Sequence, residues 1–194
     1  MVRTGNTLLV SATSIELNAA SNSDIATVTA VSALSASSSV NMDLSNQTHS
    51  LSITGSNAKD TIYGGSAADT FVVNSASVDQ TGVGEILDGN GGTDTLVVAG
   101  GTTAINFADD TISEIEVLDL TVTSSGAADP YDQTVTMTAS QVSALQTINA
   151  NGGDKLILST AFSDTLLDNT VLNGTLSLQT ANVSNSLKLS DSTM

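Results

Sequence analysis

Short bursts of β-branched and aliphatic residues recur along the chain, separated by Gly, Asn, Asp and Ser. Within a burst, apolar and polar residues alternate, as in Thr7–Val10, Thr61–Tyr63 and Thr95–Val98, which is the period of a β-strand with one buried face. The bursts follow one another at roughly the 8–12-residue spacing of all-β folds, and helical periodicity is nearly absent. The pattern therefore predicts an all-β chain.

Two all-β architectures fit this spacing, an antiparallel sandwich and a parallel solenoid. The bursts are unusually short, and the turns lack the Asn-Gly or Asp-Gly pairs between long strands that mark hairpins; Asp88-Gly89 lies in a longer Gly-rich loop. Ile15–Leu17, Met42–Leu44 and Val117–Leu120 also share one internal pattern, as successive coils would. We therefore expect residues 1–194 to form a single right-handed parallel β-solenoid, a β-roll or β-helix.

Two segments interrupt the strand pattern. Thr138 precedes a short helical pattern with Val142 and Leu145 three residues apart, which predicts one helical turn capped by a Ser/Thr residue. Residues 124–132 contain Gly126, Asp129 and the single proline, Pro130, and are predicted to be a loop excursion. Neither segment divides the chain into two domains.

Composition favours a thin aliphatic core, since 40% of residues are hydrophobic but only 3% are aromatic. The formal charge is −16, from 20 acidic and four basic residues, so the chain repels phosphate backbones and anionic lipid. Nucleic acid and bare membrane are therefore poor partners and are not expected, and divalent cations are the natural counter-charge. No cysteine is present, which excludes a disulfide framework and thiolate metal sites.

No signal peptide or membrane-spanning stretch is visible near the N-terminus, where the apolar run is only Leu8–Val10. The chain is accordingly expected to be cytosolic, exported by another route, or a piece of a larger protein.

Three nine-residue segments repeat a pattern of glycine, aspartate and an apolar residue: Gly55–Tyr63, Gly64–Val72 and Gly89–Val97. Each begins with Gly and carries Asp at position 6 and an apolar residue at position 8. Glycine lets backbone carbonyls turn inward, and Asp adds a hard carboxylate oxygen. Ca²⁺ takes six to eight oxygen ligands at about 2.3–2.6 Å, so the pattern indicates loops suited to calcium.

The pattern resembles the hemolysin-type calcium-binding nonapeptide of RTX proteins, Gly-Gly-x-Gly-x-Asp-x-apolar-x, although position 4 is Ala in the first two copies. The resemblance implies a β-roll with calcium-binding turns at about residues 55–97. The implied ligand set comprises five aspartates and the loop glycines, namely Asp60, Asp69, Asp79, Asp88, Asp94, Gly55, Gly64, Gly65, Gly89 and Gly91.

In a β-roll of this family nine residues form half a coil, so Asp60 and Asp69 are expected on opposite edges. The loop stacked on each then belongs to the next coil, about 18 residues on. This places Asp79 with Asp60 and Asp88 with Asp69, with Asp94 as a further ligand. The alternative is that these loops are Asp/Gly turns that hold no ion.

Other chemistry has little support in the sequence. His49 is the only histidine, which excludes a multi-histidine zinc site within one chain and leaves no recognisable catalytic triad. The Gly-rich loop after Asp88 lacks the closing Glu of an EF-hand, since Ala99 holds that position. We therefore expect no enzymatic activity.

The resemblance also implies a biological setting. RTX-type proteins are exported in one step with a C-terminal signal, and they fold in the calcium outside the cell. With no separate catalytic or membrane-active domain visible, the chain looks most like a self-assembling surface-layer or extracellular scaffold protein. The expected partners are calcium, further copies of the chain and a cell-surface polysaccharide.

Two other functions stay open. One is an adhesin or ice-binding module, suggested by the Thr-x-Thr runs Thr27–Thr29, Thr121–Thr123 and Thr134–Thr136. The other is the calcium-dependent secretion and folding module of a larger RTX toxin or enzyme.

Overall fold

The computed structural model describes residues 2–10, 14–17, 25–30, 39–56, 58–73, 84–99, 104–121, 132–161, 167, 170–180 and 183–190. In chain order the elements are β1 (Val2–Thr4), β2 (Thr7–Val10), β3 (Ser14–Glu16), β4 (Thr27–Ala30), β5 (Asn41–Asp43), β6 (Ser52–Thr54), β7 (Thr61–Tyr63), β8 (Thr70–Val73), β9 (Ile86–Asp88), β10 (Thr95–Val98), β11 (Ala104–Asn106), β12 (Thr111–Ser113), β13 (Val117–Asp119), β14 (Thr134–Met137), α1 (Ala139–Ala144), β15 (Thr147–Ala150), β16 (Lys155–Leu158), β17 (Val171–Thr180) and β18 (Val183–Ser190).

The strands form a parallel β-solenoid, as the sequence predicted. One long sheet, sheet A, contains β2, β4, β6, β8, β10, β13, β15 and the first half of β17 as successive parallel neighbours. A second sheet, sheet B, contains β3, β5, β7, β9 and β12. The chain alternates between the two sheets from β2 to β10, so each coil contributes one strand to each sheet.

The cross-section of the solenoid changes after β10. The chain then also visits a third sheet, sheet C, built from β11, β14, β16 and the second half of β17. Sheet B ends at β12, and α1 packs against this strand in place of a further one. Gln141 Nε2 donates to the carbonyls of Phe107 (2.7 Å) and Asp110 (3.0 Å), which ties the helix to the end of sheet B.

The predicted helix is confirmed, with Thr138 as its N-cap. Thr138 Oγ1 accepts from Gln141 N (3.2 Å), and Thr138 N donates to Gln141 Oε1 (2.7 Å), which completes a capping box. Of the predicted loop 124–132, residues 124–131 lie outside the described residues, and Asp132 is exposed.

The core is a stack of aliphatic and a few larger side chains, with one or two from most strands. Parallel pairing in register places the same strand position of each coil directly over the last, as with Ile53, Phe71 and Leu96. In sheet A this inward row is almost entirely buried and consists of Leu8, Val28, Ile53, Phe71, Leu96, Leu118 and Ile148. Each such side chain contributes about 1.5–3 kcal/mol by leaving water, so the core needs no aromatic centre.

Antiparallel hairpins cover two sheet edges, which the expectation of parallel strands alone did not include. β1 pairs antiparallel with β2 through a tight turn in which Gly5 has φ +62°. β18 pairs antiparallel with the second half of β17. β1 and β18 thus replace β2 and the second half of β17 as the outermost strands that the structure describes.

Candidate metal site

An acidic residue directly precedes several strands of the solenoid, at the corner where the chain enters the sheet. On the way into sheet B these acids are Asp60, Glu85 and Asp110, which we call the B column. On the way into sheet A they are Asp69, Asp94 and Glu116, which we call the A column. In each column, successive members come from successive coils.

Carboxylates of both columns accept a hydrogen bond from the backbone of the preceding coil. In the A column, Asp69 N donates to Asp94 Oδ1 (2.6 Å), and Asp94 N donates to Glu116 Oε2 (2.8 Å). In the B column, Asp60 N donates to Glu85 Oε2 (3.3 Å), and Glu85 N donates to Asp110 Oδ1 (2.7 Å). The acids therefore satisfy corner N–H groups that turn out of the β-ladder.

The same kind of hydrogen bond forms where the donating residue of the preceding coil is not an acid. Leu51 N donates to Asp69 Oδ1 (2.8 Å) and Val40 N donates to Asp60 Oδ1 (2.7 Å). At the entrance to sheet C, Gln133 N donates to Asp154 Oδ1 in the same way (2.7 Å). A hydrogen bond from a corner N–H to a carboxylate of the next coil is thus present at all three sheets.

The second oxygen of Asp60 and Asp69 is held by its own loop. Ser56 N donates to Asp60 Oδ2 (2.5 Å), and Gly65 N donates to Asp69 Oδ2 (2.6 Å), in both cases from four residues earlier. Ser56 Oγ adds a bond to Asp60 Oδ1 (2.6 Å). Both carboxylates therefore act as structural acceptors inside their turns.

Asp94 differs, because its Oδ2 is buried and has no hydrogen-bond partner. The N–H four residues before Asp94, that of Asn90, donates to Asp88 Oδ1 (3.0 Å) and not to Asp94. Asn90 has φ +69°. The whole Asp94 residue is 0% exposed. An orphaned carboxylate oxygen in the interior is costly and is the atom that a cation would satisfy.

The glycine beside Asp94 shapes this pocket. A Cβ on Gly89 would lie 2.5 Å from Asp94 Oδ2 and would overlap the carbonyl oxygen of Glu114. Both oxygens therefore face the same small space next to Gly89. Glu114 itself has φ +50°, so the two non-glycine residues with positive φ among the described residues, Asn90 and Glu114, both lie in the loops around Asp94. Strained backbone of this kind concentrates at functional sites.

Burial raises the pKa of all three motif aspartates. For Asp60 and Asp69 desolvation is the largest cause, opposed by the hydrogen bonds from Ser56 and Val40 and from Gly65 and Leu51. Desolvation raises the pKa of Asp94 to about 6, with further increases from the charges of Asp69, Glu116 and Asp88. These three neighbouring charges are all negative, so none of them stabilises the ionised form of Asp94.

The structure separates the predicted ligands. Asp60 and Asp69 lie on opposite edges, as expected, because Asp60 directly precedes β7 of sheet B and Asp69 directly precedes β8 of sheet A. Asp94, and not Asp88, stacks on Asp69, so that predicted pairing is wrong. The reason is that Thr70 pairs with Thr95, which makes this coil 25 residues long and not 18; Asp88 pairs with Tyr63 on sheet B.

The other predicted residues have distinct positions. Asp79, the predicted partner of Asp60, lies outside the described residues, and Glu85 follows Asp60 in the B column. A Cβ on Gly64 would lie 2.8 Å from Asp69 Oδ2, and one on Gly55 would overlap Asp60 Oδ2, so both glycines make room for the carboxylates. Gly65 approaches the Gln47 carbonyl, and Gly91 N donates to Gly65 O (3.1 Å), linking adjacent loops.

Sequence reasoning missed Glu85, Asp110, Glu116 and Asp154 as members of the same ladders. The signal that identifies them is an acid immediately before an alternating burst, which the glycine-based motif did not include.

The remaining candidates contribute little to this site. His49 Nε2 lies 2.6 Å from the Ile25 carbonyl and is partly buried. Thr27–Thr29 lies in sheet A and Thr134–Thr136 in sheet C, so these two runs form no common array; of the third run, Val122 and Thr123 lie outside the described residues. Thr7, Thr27, Ser52, Thr70 and Thr95 do align in one row of sheet A.

In the part of the chain that the structure describes, no group of three or more His, Asp or Glu side chains is placed to hold a metal ion. Calcium sites also draw on backbone carbonyls, and Asp94 Oδ2 with the Glu114 carbonyl supplies that kind of donor pair. Asp94 Oδ2 and the Glu114 carbonyl are two of the six to eight oxygens that a Ca²⁺ ion takes, whereas the oxygens of Asp60 and Asp69 are largely occupied by backbone donors.

No family model, curated protein or solved structure matches the chain. Among the described residues, no helix has the length and apolar character needed to cross a membrane.

Proposed function

We propose that the chain is a calcium-stabilised structural β-solenoid of a secreted bacterial surface protein, a self-assembling scaffold of the surface-layer type. The single observation that carries the proposal is the orphaned, buried Asp94 Oδ2 in a column of stacked acids. The wider context, including export by an RTX-type route, rests on the nonapeptide resemblance.

Electrostatics gives the physical reason for a cation. Adjacent strands lie about 4.8 Å apart, so neighbouring charged carboxylates in a column repel by roughly 3 kcal/mol at an effective dielectric constant of about 20. The hydrogen bonds from backbone N–H groups offset part of this repulsion. A Ca²⁺ ion held by Asp94 Oδ2 and the Glu114 carbonyl would neutralise the A column where it lacks a donor.

The hydrogen bonds of the acids support a structural role over catalysis. The carboxylates of both columns and that of Asp154 are engaged with backbone N–H groups of a neighbouring coil. Acids held in this way fix the spacing of coils and are poorly placed to exchange protons with a substrate. This supports a scaffold, whose function depends on the regular solenoid and not on a reactive side chain.

The experiment is a calcium titration of the purified chain at about pH 7.5, followed by circular dichroism and light scattering. We expect calcium to stabilise a chain that is already largely folded in chelator, so that its β signal rises and persists to higher temperature. The scattering shows whether assemblies larger than a dimer form at the same calcium concentrations. Asp94→Asn should abolish the response, whereas Asp43→Asn, which removes an equal charge outside the columns and leaves Ser45 an amide oxygen to bond to, should retain it. A wild-type chain that is fully folded in chelator and indifferent to calcium would refute the calcium-binding role.

A further inference from the structure

We infer that the C-terminal end of sheet A, at Val171–Gly174, is the surface through which two copies of this chain associate. This inference specifies the self-association contained in the proposed function. It depends on the edge, the charge and the burial at that end and is independent of calcium.

Among the described residues, one side of the edge strand Val171–Gly174 has no neighbouring strand. Within the described residues, Val171–Gly174 pair with β15 on one side only, while β18 covers the strand from Thr175 onward. Val171 is 58% exposed, and it is the exposed large hydrophobic residue of the described chain. Leu172, which continues the inward row of the core, is only partly buried. A sheet edge beside an exposed apolar side chain favours pairing with another strand.

Charge distribution selects this end for association. Residues 155–194 hold two lysines against three acids, whereas residues 1–154 hold 17 acids against two basic residues. Lys155, Ser177 and Lys188 are successive register partners at this end of sheet C. Two copies therefore meet less like-charge repulsion here than along the rest of the chain.

Symmetry identifies the partner surface. The other end of sheet A is covered by β1, so a head-to-tail contact would meet a hairpin strand. Two C-terminal ends related by a two-fold axis can instead pair antiparallel. The register that keeps inward residues inward places Leu172 opposite the partner's Leu172 and Val171 opposite the partner's Asn173.

A row of hydrogen-bonded polar side chains on the outer face of sheet A ends at the same edge strand. Asn149 Nδ2 donates to Asp119 Oδ2 (3.2 Å), and Asn173 Nδ2 donates to Asn149 Oδ1 (2.8 Å). Asn173 is exposed and ends this row at the edge strand, where the antiparallel register sets it opposite the partner's Val171. By itself this contact closes a dimer and does not extend into a filament.

Sedimentation equilibrium of the full chain tests this, at about 10 µM to about 1 mM because a short edge contact is expected to be weak. It is run both in chelator and in calcium. We expect a monomer–dimer equilibrium in both, and we expect Val171→Lys to weaken it at least about tenfold. Val117→Lys, in the same outward row but in the middle of sheet A, is the matched control and should dimerise normally.

Circular dichroism of each variant establishes that it is folded. A wild-type chain that stays monomeric throughout, as when its own last residues cover this edge, would overturn the inference. Dimers or larger assemblies unaffected by Val171→Lys would overturn it as well. If the chain does not respond to calcium but still forms a dimer that Val171→Lys weakens, the result counts against the calcium site and not against the dimer.

Discussion

Replacing Asp94 with Asn should stabilise the chain in the absence of calcium. The substitution removes a buried charge but keeps an amide oxygen to accept from Asp69 N. It also replaces the orphaned Oδ2 with an N–H₂ group beside the Glu114 carbonyl, which can accept a hydrogen bond. The fold then no longer has to hold an unpartnered carboxylate at neutral pH.

The magnitude follows from the pKa of Asp94, which rises from 3.8 to about 6 on folding. Each pKa unit corresponds to about 1.36 kcal/mol, so ionised Asp94 destabilises the folded state by about 3 kcal/mol above about pH 6. Because the folded pKa is raised, the folded chain binds more protons than the unfolded chain between about pH 4 and 6. Wild-type stability should therefore increase as the pH falls through about 6, and the advantage of Asp94→Asn should disappear by about pH 4.

The assay is urea denaturation in chelator, followed by circular dichroism, at about pH 7.5 and about pH 4.5. We expect Asp94→Asn to raise the free energy of unfolding by about 1–3 kcal/mol at the higher pH and by much less at the lower pH. Asp43→Asn should change neither value appreciably. A variant that is less stable than wild type at neutral pH, or a difference that does not vary with pH, would refute the reasoning.

Two further substitutions test the ladder and its glycines. Asp69→Ala removes the acceptor of Leu51 N and Gly65 N, and it should cost about 2–4 kcal/mol of unfolding free energy in urea melts, whereas Asp43→Ala should cost below about 1 kcal/mol; equal effects would show that the column bonds add nothing. Gly89→Ala should cost more than about 2 kcal/mol because its Cβ meets the Glu114 carbonyl, whereas Gly152→Ala, with nothing within 4 Å, should stay within about 0.5 kcal/mol in thermal melts. A tolerated Gly89→Ala would contradict the close approach of the two loops.

The sequence was sufficient for the part of the fold that depends on local pattern. Alternation predicted the inward residues, and Ile62, Phe71 and Leu96 at position 8 of the motif are all buried. The nine-residue period correctly placed Asp60 and Asp69 on opposite edges, because two nonapeptides form the 18-residue coil from Ser52 to Thr70. Thr138 identified the helix because capping is a local property.

Features that depend on coil length could not be read from the sequence. The next coil has 25 residues, and this offset moves Asp94 onto Asp69 in place of Asp88. The ladder bonds link residues about 20–25 positions apart, and a motif nine residues long carries no information about them. The third sheet and the antiparallel β18 also depend on which edges remain to be covered, a property of the assembled solenoid.

The most direct test of the central claim is the melting temperature of the wild-type chain in about 5 mM calcium compared with chelator, at about pH 7.5. For a site with a Kd of about 0.1 mM, typical of extracellular modules, binding should stabilise the fold by about 2 kcal/mol. For a chain of this size that corresponds to an increase of about 4–8 °C, and magnesium at the same concentration should give less. An increase of this size that Asp94→Asn eliminates is the predicted result. An identical melting temperature in calcium and in chelator would contradict the account.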